Sequence, residues 1–394
     1  MKYEFPLITN ISQVLPLIAD KPEFIVAVKD GDYTVINYVV QMADTFPPVE
    51  TEAHAILREL RGMIFKTSTG EVIARRLHKF FNVNEKTETQ LHEIDFTRPH
   101  VILEKLDGSM ITPIPMADWS LRWGTKMGCT EVAVPVEEFI SRNPQYVEFA
   151  KMATGYMRST PIFEWCSRKQ AIVIDHPVDK LVLIAMRRNE SGRYIPYDNL
   201  KDIGKSYNIP VVEAYEGTLE NMQALMDYTR DLVGMEGFVV RFDDGHMIKV
   251  KAEDYVRKHK AKDMIGREKN VIEIIANEQA DDVKGFLDAK DLARFEEFED
   301  KFWNGVRATS LVLIDLRIAA AKANLDVDRK IYAVEFVQKQ EEKLQRFLYK
   351  MFDQEESTFE LVKGSIAKSC STQTKVDEVR WMFNCYWNEQ KVEE

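Results

Sequence analysis

Short stretches rich in β-branched and aromatic residues fill the first two thirds of the chain and predict a series of β-strands. FIVAV and YTVINYVV flank residues 29–32, where an Asp-Gly pair is typical of a hairpin turn. Comparable segments follow, among them VILEKL, PIFEW, KLVLIAMR, EGFVVRF and HMIKVK. A helical pattern over residues 135–157 interrupts them. Together these patterns predict an α+β fold with mostly antiparallel sheets.

The pattern changes after about residue 259, where glycine, proline and strand-like alternation become rare and charged segments with helical spacing begin. Two apolar stripes with helical spacing are predicted to face a core. They consist of Leu344, Phe347, Leu348 and Met351 and of Leu311, Ile314 and Ile318. We therefore expect two domains, an α+β domain over residues 1–258 and an all-helical domain over residues 259–394.

The composition is that of an ordinary globular protein, with 45% hydrophobic and 30% charged residues among 394. No run of about eighteen apolar residues occurs, so no membrane span is expected. The four cysteines lie far apart, which argues against a structural zinc site or a disulfide framework and favours a reducing cytoplasm. The net charge of -11 argues against a general nucleic-acid coat, but it leaves room for an enzyme with a local basic groove.

The segment Glu104-Lys105-Leu106-Asp107-Gly108-Ser109 follows an apolar strand and contains the pattern K-x-D-G. By itself the pattern is weak, since average composition produces it by chance in about one chain of this length in ten. The alternative explanation is a solvated turn with a surface lysine. Other short motifs accompany it in order along the chain. They are LRGMIF (60–65), RRLHKFFNVNE (75–85), Thr125-Lys126 on a predicted strand, FEW (163–165), MEGF (235–238) and IKVK (248–251).

The last two motifs are predicted to form one hairpin. If Asp244-Gly245 is a two-residue turn, Val240 faces Lys249 and Phe238 faces Lys251. Because side chains alternate along a strand, one face then collects a carboxylate and two ammonium groups, and the other face is apolar. The charged face consists of Glu236, Lys249 and Lys251, and the apolar face of Val239, Ile248 and Val250. The charged face suits the floor of a triphosphate site, and ordinary solvated ion pairs are the alternative.

In their order, these motifs resemble those of the covalent nucleotidyltransferases, namely DNA ligases, RNA ligases and mRNA capping enzymes. Within that superfamily the chain most resembles the type-one tRNA-repair RNA ligase of T-even phages. The resemblance rests on LRGMIF, RRLHKFFNVNE and LVLIAMRRNESGRYIPYDNL (181–200), and on Glu253-Asp254-Tyr255 after the last motif. It covers residues 24–285 and implies an antiparallel nucleotidyltransferase domain followed by an all-helical domain.

The resemblance implies that Lys105 carries AMP as a covalent lysyl-AMP. A lysine amine attacks phosphorus only when it is neutral, which burial and neighbouring cations favour. Four further residues are implied in catalysis: Glu164 at a ribose hydroxyl, Glu236 at the nucleotide or metal, and Lys249 and Lys251 at the α-phosphate. Residues implied in nucleotide binding are Tyr38, Arg61, Lys79, Phe81, Asp107, Gly108, Lys126, Glu164, Lys249, Lys251 and Tyr255. Phe81 is expected to pack beside the purine, and a half-buried aromatic residue is the alternative for Tyr255.

The cofactors implied are ATP and Mg²⁺ or Mn²⁺, since the pyrophosphate that leaves ATP carries several negative charges. Asp281 and Asp282 resemble an acidic pair credited with metal binding in the family, and an ordinary charged start of a helix is the alternative. The implied partner is single-stranded or nicked-loop RNA, with tRNA as one candidate. The implied location is the cytoplasm, that of the host if a phage encodes the chain. The oligomeric state stays open.

These features predict an ATP-dependent RNA ligase that joins 5′-phosphate and 3′-hydroxyl ends in RNA or tRNA repair. A DNA ligase or a capping enzyme would continue after the K-x-K motif with a small β-barrel, whereas here the sequence turns helical. The alternative is a non-catalytic nucleotide- or RNA-binding protein that retains the nucleotidyltransferase fold. It would bind ATP without forming lysyl-AMP.

Overall fold

The structure, a computed structural model, describes residues 5–42, 44–118, 120–353 and 357–387. It divides into two compact units, Met1–Val256 and Arg257–Glu394, where the sequence predicted a boundary at residue 258. The first unit combines antiparallel sheets with helices, and the described part of the second unit is helical. The predicted α+β class is therefore confirmed. No helix in the described ranges is long and apolar enough to cross a membrane.

Twelve strands form the framework of the described part of the first unit, in three sheets of four. The strands are β1 Phe24–Lys29, β2 Tyr33–Tyr38, β3 Arg61–Lys66, β4 Val72–Ala74, β5 Phe81–Asn82, β6 His100–Glu104, β7 Ser109–Pro115, β8 Leu121–Gly124, β9 Ser159–Cys166, β10 Lys180–Arg188, β11 Gly237–Phe242 and β12 Met247–Lys251. The sheet orders are β1-β2-β3-β4, β10-β9-β7-β8 and β5-β12-β11-β6. Neighbouring strands are antiparallel except β5 and β12, which are parallel. The first predicted hairpin is confirmed, since β1 pairs with β2 around residues 30–32.

The predicted register of the β11–β12 hairpin was wrong by one residue. Val239, not Val240, faces Lys249. Phe242 donates its N–H to the carbonyl oxygen of His246 at 2.9 Å, so three residues form the loop instead of two. Gly245 adopts a φ of 86° at its end, a conformation that favours glycine and is typical of three-residue hairpin loops.

This shift of register changes the apolar face of the hairpin. Phe238, Val240, Ile248 and Val250 pack in one core cluster, whereas Val239 packs in another. Val239 therefore belongs to the face of Lys249, contrary to the sequence prediction, and Phe238 takes its place on the apolar face.

Six helices lie within the first unit's described residues, and α7 begins there. The six are α1 Leu15–Ile18, α2 Glu52–Glu59, α3 Ala133–Ser141, α4 Gln145–Lys151, α5 Tyr197–Tyr207 and α6 Met222–Arg230, and α7 is Glu253–Ile265. Helices α3 and α4, with the π-helical segment Met152–Tyr156, confirm the helical interval predicted over residues 135–157.

The second unit continues with seven helices in the described part. They are α8 Glu268–Ala276, α9 Asp281–Lys284, α10 Ala289–Lys322, α11 Arg329–Ile331, α12 Glu342–Asp353, α13 Thr358–Ser369 and α14 Gln373–Val379. The stripe on α12 is confirmed as core, since Leu344, Phe347 and Leu348 are buried there.

The stripe predicted on α10 was wrong. Leu311 is 53% exposed, and Ile314 and Ile318 are exposed as well. The helix instead buries Phe295, Phe298, Phe302, Val306 and Leu313. The face defined by these larger aromatic side chains therefore determines which side of α10 meets the core.

A buried carboxylate links two of the sheets in the first unit. Glu59, at the end of α2, lies 2.9 Å from Nε of Arg75 and 2.8 Å from Nη1 of Arg187, and all three side chains are fully buried. Arg75 follows β4, and Arg187 lies on β10. Burial would raise the pKa of Glu59, but the two guanidinium groups hold it at about 2. The carboxylate is therefore ionised at neutral pH, and it ties the first sheet to the second.

Candidate active site

Lys105 lies where the ends of three strands meet. It follows β6 directly and donates its backbone N–H to the carbonyl oxygen of Gly237 at 2.9 Å. Its Nζ lies 2.6 Å from Oε2 of Glu236, and its side chain is 22% exposed. The other oxygen of Glu236 lies 3.0 Å from Nζ of Lys251 on β12. Because β11 pairs with both β6 and β12, the sheet itself brings these three side chains together.

Glu164 lies on β9, and a close approach of the backbone places it beside the lysine loop. A Cβ on Gly108 would lie 2.4 Å from the carbonyl oxygen of Trp165, so only glycine fits at this point. Burial raises the pKa of Glu164 to about 7, with Lys105 opposing the shift and Glu236 adding to it. Near neutral pH this carboxyl group can therefore either hold or release a proton.

Lys249 is the central member of a group of cations. Burial, together with the positive charges of Lys79, Arg61 and Lys105, lowers the pKa of Lys249 to about 7. Cations that repel one another in this way gain stability when a polyanion binds between them. The group therefore suits the phosphates of a nucleotide.

Tyr38 lies between two lysines of this group. Nζ of Lys79 donates to the hydroxyl oxygen of Tyr38 at 3.4 Å, and Nζ of Lys126 lies 5.3 Å from the centre of the ring. Burial would raise the pKa of Tyr38, but the charges of Lys79, Arg61 and Lys126 outweigh it and lower the pKa. Lys126 lies in a turn after β8, not on the strand that the sequence predicted.

Tyr255 and Asp107 hold the lysine loop in place. The hydroxyl of Tyr255 donates to Oδ1 of Asp107 at 2.8 Å. The other carboxylate oxygen accepts the backbone N–H groups of Val173 and Ile174, each at 2.7 Å. Nε2 of His176 lies 2.7 Å from the carbonyl oxygen of Asp107. The loop that carries Lys105 is thereby tied both to α7 and to residues 173–176.

Asp281 and Asp282 lie apart from this group, whereas Phe81 lies in the core beside it, with Nζ of Lys79 5.1 Å from its ring centre. Phe81 is 1% exposed, and the guanidinium of Arg58 lies 4.6 Å from its ring centre, so its ring has no exposed surface on which a purine could pack. Asp281 and Asp282 lie in the second unit, in the first turn of α9. Within the described ranges they join no group of three or more side chains that could hold a metal ion.

The sequence did not single out three residues that contact the candidate site. The ring centre of Phe80 lies 5.2 Å from Nζ of Lys249, and His176 contacts the loop of Lys105. The negative charge of Glu85 favours the charged form of Lys249 and so opposes the lowering of its pKa. Phe80 and Glu85 belong to the RRLHKFFNVNE segment, so the motif itself was the signal that could have found them. No sequence signal marks His176.

The charges of the site fit a nucleotide triphosphate with a divalent metal ion. Its cations are Lys105, Lys249, Lys251, Arg61, Lys79 and Lys126. The carboxyl groups of Glu164 and Glu236 are two oxygen ligands available nearby. Mg²⁺ is commonly held by one or two carboxylates together with substrate phosphates. A cluster of three carboxylates is therefore not required.

Comparison with known proteins identifies related chains. The sequence model of a family described as RNA ligase matches residues 59–264, slightly more than half of the chain. A candidate RNA ligase of Thermovibrio ammonificans is 27% identical over 272 residues, which cover 66% of this chain and 67% of the relative. A candidate bifunctional polynucleotide kinase/RNA ligase of Autographa californica nuclear polyhedrosis virus is 24% identical over 275 residues, or 65% of this chain and 38% of the relative.

Two solved structures are also similar over part of their length. An archaeal ATP-dependent RNA ligase has a TM-score of 0.46 and 16% identity, with 64% of each chain covered. An RNA ligase of Naegleria gruberi has a TM-score of 0.39 and 15% identity, with 48% of this chain and 58% of that chain covered. The chain thus spans less than two thirds of both proteins.

Proposed function

Because this chain belongs to the RNA ligase family, we propose that it is an ATP-dependent RNA ligase with Lys105 as its nucleophile. One observation carries the proposal: Nζ of Lys105 lies 2.6 Å from a nearly buried carboxylate, at the edge of a group of cations. Except for Tyr38, the residues assigned roles in the steps below lie within the matched range of residues 59–264.

In the first step, Nζ of Lys105 attacks the α-phosphorus of ATP. A P–N bond forms, the P–O bond to pyrophosphate breaks, and the amine loses a proton. Glu236 is the carboxylate placed to accept this proton, because it already contacts the amine. Lys249 and Lys251 stabilise the charge that develops on the α-phosphate. Arg61, Lys79 and Lys126 bind the outer phosphates beside Tyr38.

In the second step, AMP moves from Lys105 to an RNA 5′-phosphate and forms a 5′–5′ pyrophosphate linkage. In the third step, an RNA 3′-hydroxyl attacks that 5′-phosphate, and AMP leaves. Each step is an attack on phosphorus with similar charge requirements, so one set of cations serves all three. A bound Mg²⁺ or Mn²⁺ would neutralise part of the phosphate charge.

Glu164 and Asp107 have supporting roles, Glu164 at the ribose of the nucleotide and Asp107 in positioning Lys105. With its pKa near 7, Glu164 can accept a hydrogen bond from a ribose hydroxyl when ionised. Asp107 holds the lysine loop through Tyr255 and two backbone amides, which fixes the direction of Lys105. We propose single-stranded or nicked-loop RNA as the substrate and repair of RNA, including tRNA, as the role, in the cytoplasm, which is that of the host if a phage encodes the chain.

The test is incubation with α-labelled ATP and Mg²⁺, followed by a denaturing gel, for the wild type, Lys105→Ala and Lys205→Ala. Lys205 is an exposed lysine near the end of α5 and serves as the matched control. We expect acid-labile label on the wild type and on Lys205→Ala, and none on Lys105→Ala. If no protein is labelled although ATP binds, the chain is a nucleotide-binding protein and not a ligase.

The labelled enzyme then reports the substrate. It is supplied with single strands that carry a 5′-phosphate and a 3′-hydroxyl, made either of RNA or of DNA. Sealing of RNA in preference to DNA would support the proposed substrate. Sealing of DNA alone would contradict it, while leaving the lysyl-AMP step intact.

A further inference from the structure

A second cleft opens on the first unit, at the end of β11 that is remote from Gly237. It has a volume of about 740 Å³, within the range of about 300–1,000 Å³ that is usual for small-molecule sites. Its walls include the loop after β11, the start of α5 and the aromatic side chains Phe5, Tyr194 and Tyr197. None of the residues that line it contributes to the candidate active site.

Arg241 is the unusual member of this wall. It is 5% exposed, and its Nη1 is buried without a hydrogen-bond partner. The charged form is disfavoured by burial, which lowers the pKa of Arg241, and only the phenol groups of Tyr194 and Tyr197 act in the opposite direction. No carboxylate in the described ranges forms an ion pair with it. A buried guanidinium without a counter-charge is costly unless an anion is bound at some stage.

The acidic residues of the cleft do not supply that counter-charge. Asp243 and Asp244 lie 2.8 Å and 2.6 Å from Nη2 of Arg98. A second guanidinium, that of Arg193, lines the cleft, is exposed and forms no ion pair within the described part of the chain. The cleft therefore presents one buried and one exposed guanidinium to a ligand.

The start of α5 adds donors to the same wall. Pro196 is the residue before the helix and supplies no side-chain cap. The first helical bond runs from the N–H of Leu200 to the carbonyl oxygen of Pro196, so the N–H groups of residues 197–199 make no bond within the helix. Helix amino ends favour anions, and phosphoryl groups in particular. Because the free N–H groups of α5 lie beside Arg241 and Arg193, they strengthen the preference of the cleft for anions.

We propose that this cleft binds a nucleotide, with its phosphoryl group at Arg241, Arg193 and the start of α5 and its base against the aromatic side chains. Guanidinium groups and helix amides match the several oxygens of a phosphoryl group. The rings of Phe5 and Tyr194 line the cleft next to it and pack edge to face against each other, with 5.6 Å between their centres. The nucleotide is either free or the terminal unit of a strand. The site does not require that the chain be a ligase.

The test counts the AMP molecules bound per chain by equilibrium dialysis with labelled AMP, without divalent metal. The variant is Arg241→Met, which approximates the aliphatic part of the side chain and removes an unpaired charge, so we expect it to fold. Arg193→Met removes the exposed guanidinium with little risk to folding. The matched control is Arg188→Met, since Arg188 is exposed and contacts the carbonyl oxygen of Met157 away from the cleft.

We expect the wild type and Arg188→Met to bind one more AMP per chain than Arg241→Met does. The loss corresponds to an affinity that falls about tenfold or more, as is usual when a charged hydrogen bond is removed. Arg193→Met should weaken the binding of the same additional AMP molecule. If Arg241→Met folds and binds as many AMP molecules as the wild type, the proposal is overturned.

Competition against labelled AMP shows which part of the nucleotide the cleft recognises and whether the nucleotide is free or belongs to a strand end. If orthophosphate displaces the Arg241-dependent AMP as well as AMP itself does, the base makes no contact and a nucleotide site is excluded. Displacement by a 5′-phosphorylated oligoribonucleotide at a lower concentration than AMP would assign the site to a strand end. The reverse order would assign it to a free nucleotide. Labelling of Lys105 reports the proposed function separately, and Arg241→Met should leave it unchanged.

Discussion

Replacing Lys249 by arginine is expected to change how nucleotide binding depends on pH. In the folded chain, burial and the surrounding cations lower the pKa of Lys249 to about 7. The ammonium form, which attracts phosphate, therefore predominates below about pH 7, and the neutral form predominates above it. Arginine stays protonated throughout this range, because its guanidinium loses its proton only at a pH above about 12.

The magnitude follows from the fraction of chains that carry the ammonium. The apparent dissociation constant equals the intrinsic value divided by that fraction. With a pKa of about 7, roughly one chain in ten is protonated at pH 8, so ATP should bind about tenfold more weakly than at pH 6. At pH 9 the loss should approach a hundredfold, until bound phosphate itself keeps the lysine charged. The arginine variant should lose none of this affinity.

The assay is equilibrium dialysis of labelled ATP without divalent metal, between about pH 6 and pH 9. ATP titrates in this range too, but it does so equally for every variant, so the difference between the two profiles isolates residue 249. Lys251→Arg is the matched control, since Lys251 faces the carboxylate of Glu236 at 3.0 Å, and its profile should follow the wild type. Parallel profiles for the wild type and Lys249→Arg would refute the reasoning.

Three further substitutions test the fold and the lysine loop. Glu59→Gln should lower the free energy of unfolding by roughly 3–5 kcal/mol, measured in urea, because it leaves two buried guanidinium groups without a counter-charge. Gly108→Ala should slow lysyl-AMP formation by about a hundredfold, because its Cβ displaces the loop, whereas Gly155→Ala, with no atom within 4 Å of its Cβ, should act like the wild type. Phe302→Ala should destabilise the protein by about 3–5 kcal/mol, and Leu311→Ala by about 0.5 kcal/mol or less; equal effects in urea would contradict the assignment of the buried face of α10.

The periodicity of the sequence predicted whether a segment forms a helix or a strand better than it predicted the register of a hairpin or the buried face of a helix. It identified both hairpins, but it placed Val239 on the wrong face, because a two-residue and a three-residue loop are both compatible with Asp243-Asp244-Gly245. On α10 it selected Leu311 because aliphatic residues recur there at helical spacing. The neighbouring face carries phenylalanines, whose larger apolar area gives more stabilisation when it is buried. Sequence spacing alone does not rank two such faces.

The candidate site was predicted best where motifs lie at strand ends. Lys105, Glu236 and Lys251 meet because their strands pair, a relation that the ordered motifs already suggested. The position of Phe81 does not follow from a motif in this way, since it lies in the core with the guanidinium of Arg58 packed over its ring. His176 differs as well, because a loop far along the chain reaches Asp107 only in the folded structure. Contacts of this kind depend on tertiary packing, which a local pattern does not contain.

The carboxylate of Glu59 has a consequence for how the first unit opens. Separating the first sheet from β10 would expose an ion pair that has no access to water in the folded state. Such an opening would leave buried charges unpaired before solvent reaches them, which costs free energy. Local opening of one sheet alone is therefore suppressed. Backbone amides of β3 and β10 should therefore exchange their hydrogens with solvent in a single cooperative event. The two sheets would then behave as one folding unit, although the residues that join them lie more than a hundred positions apart.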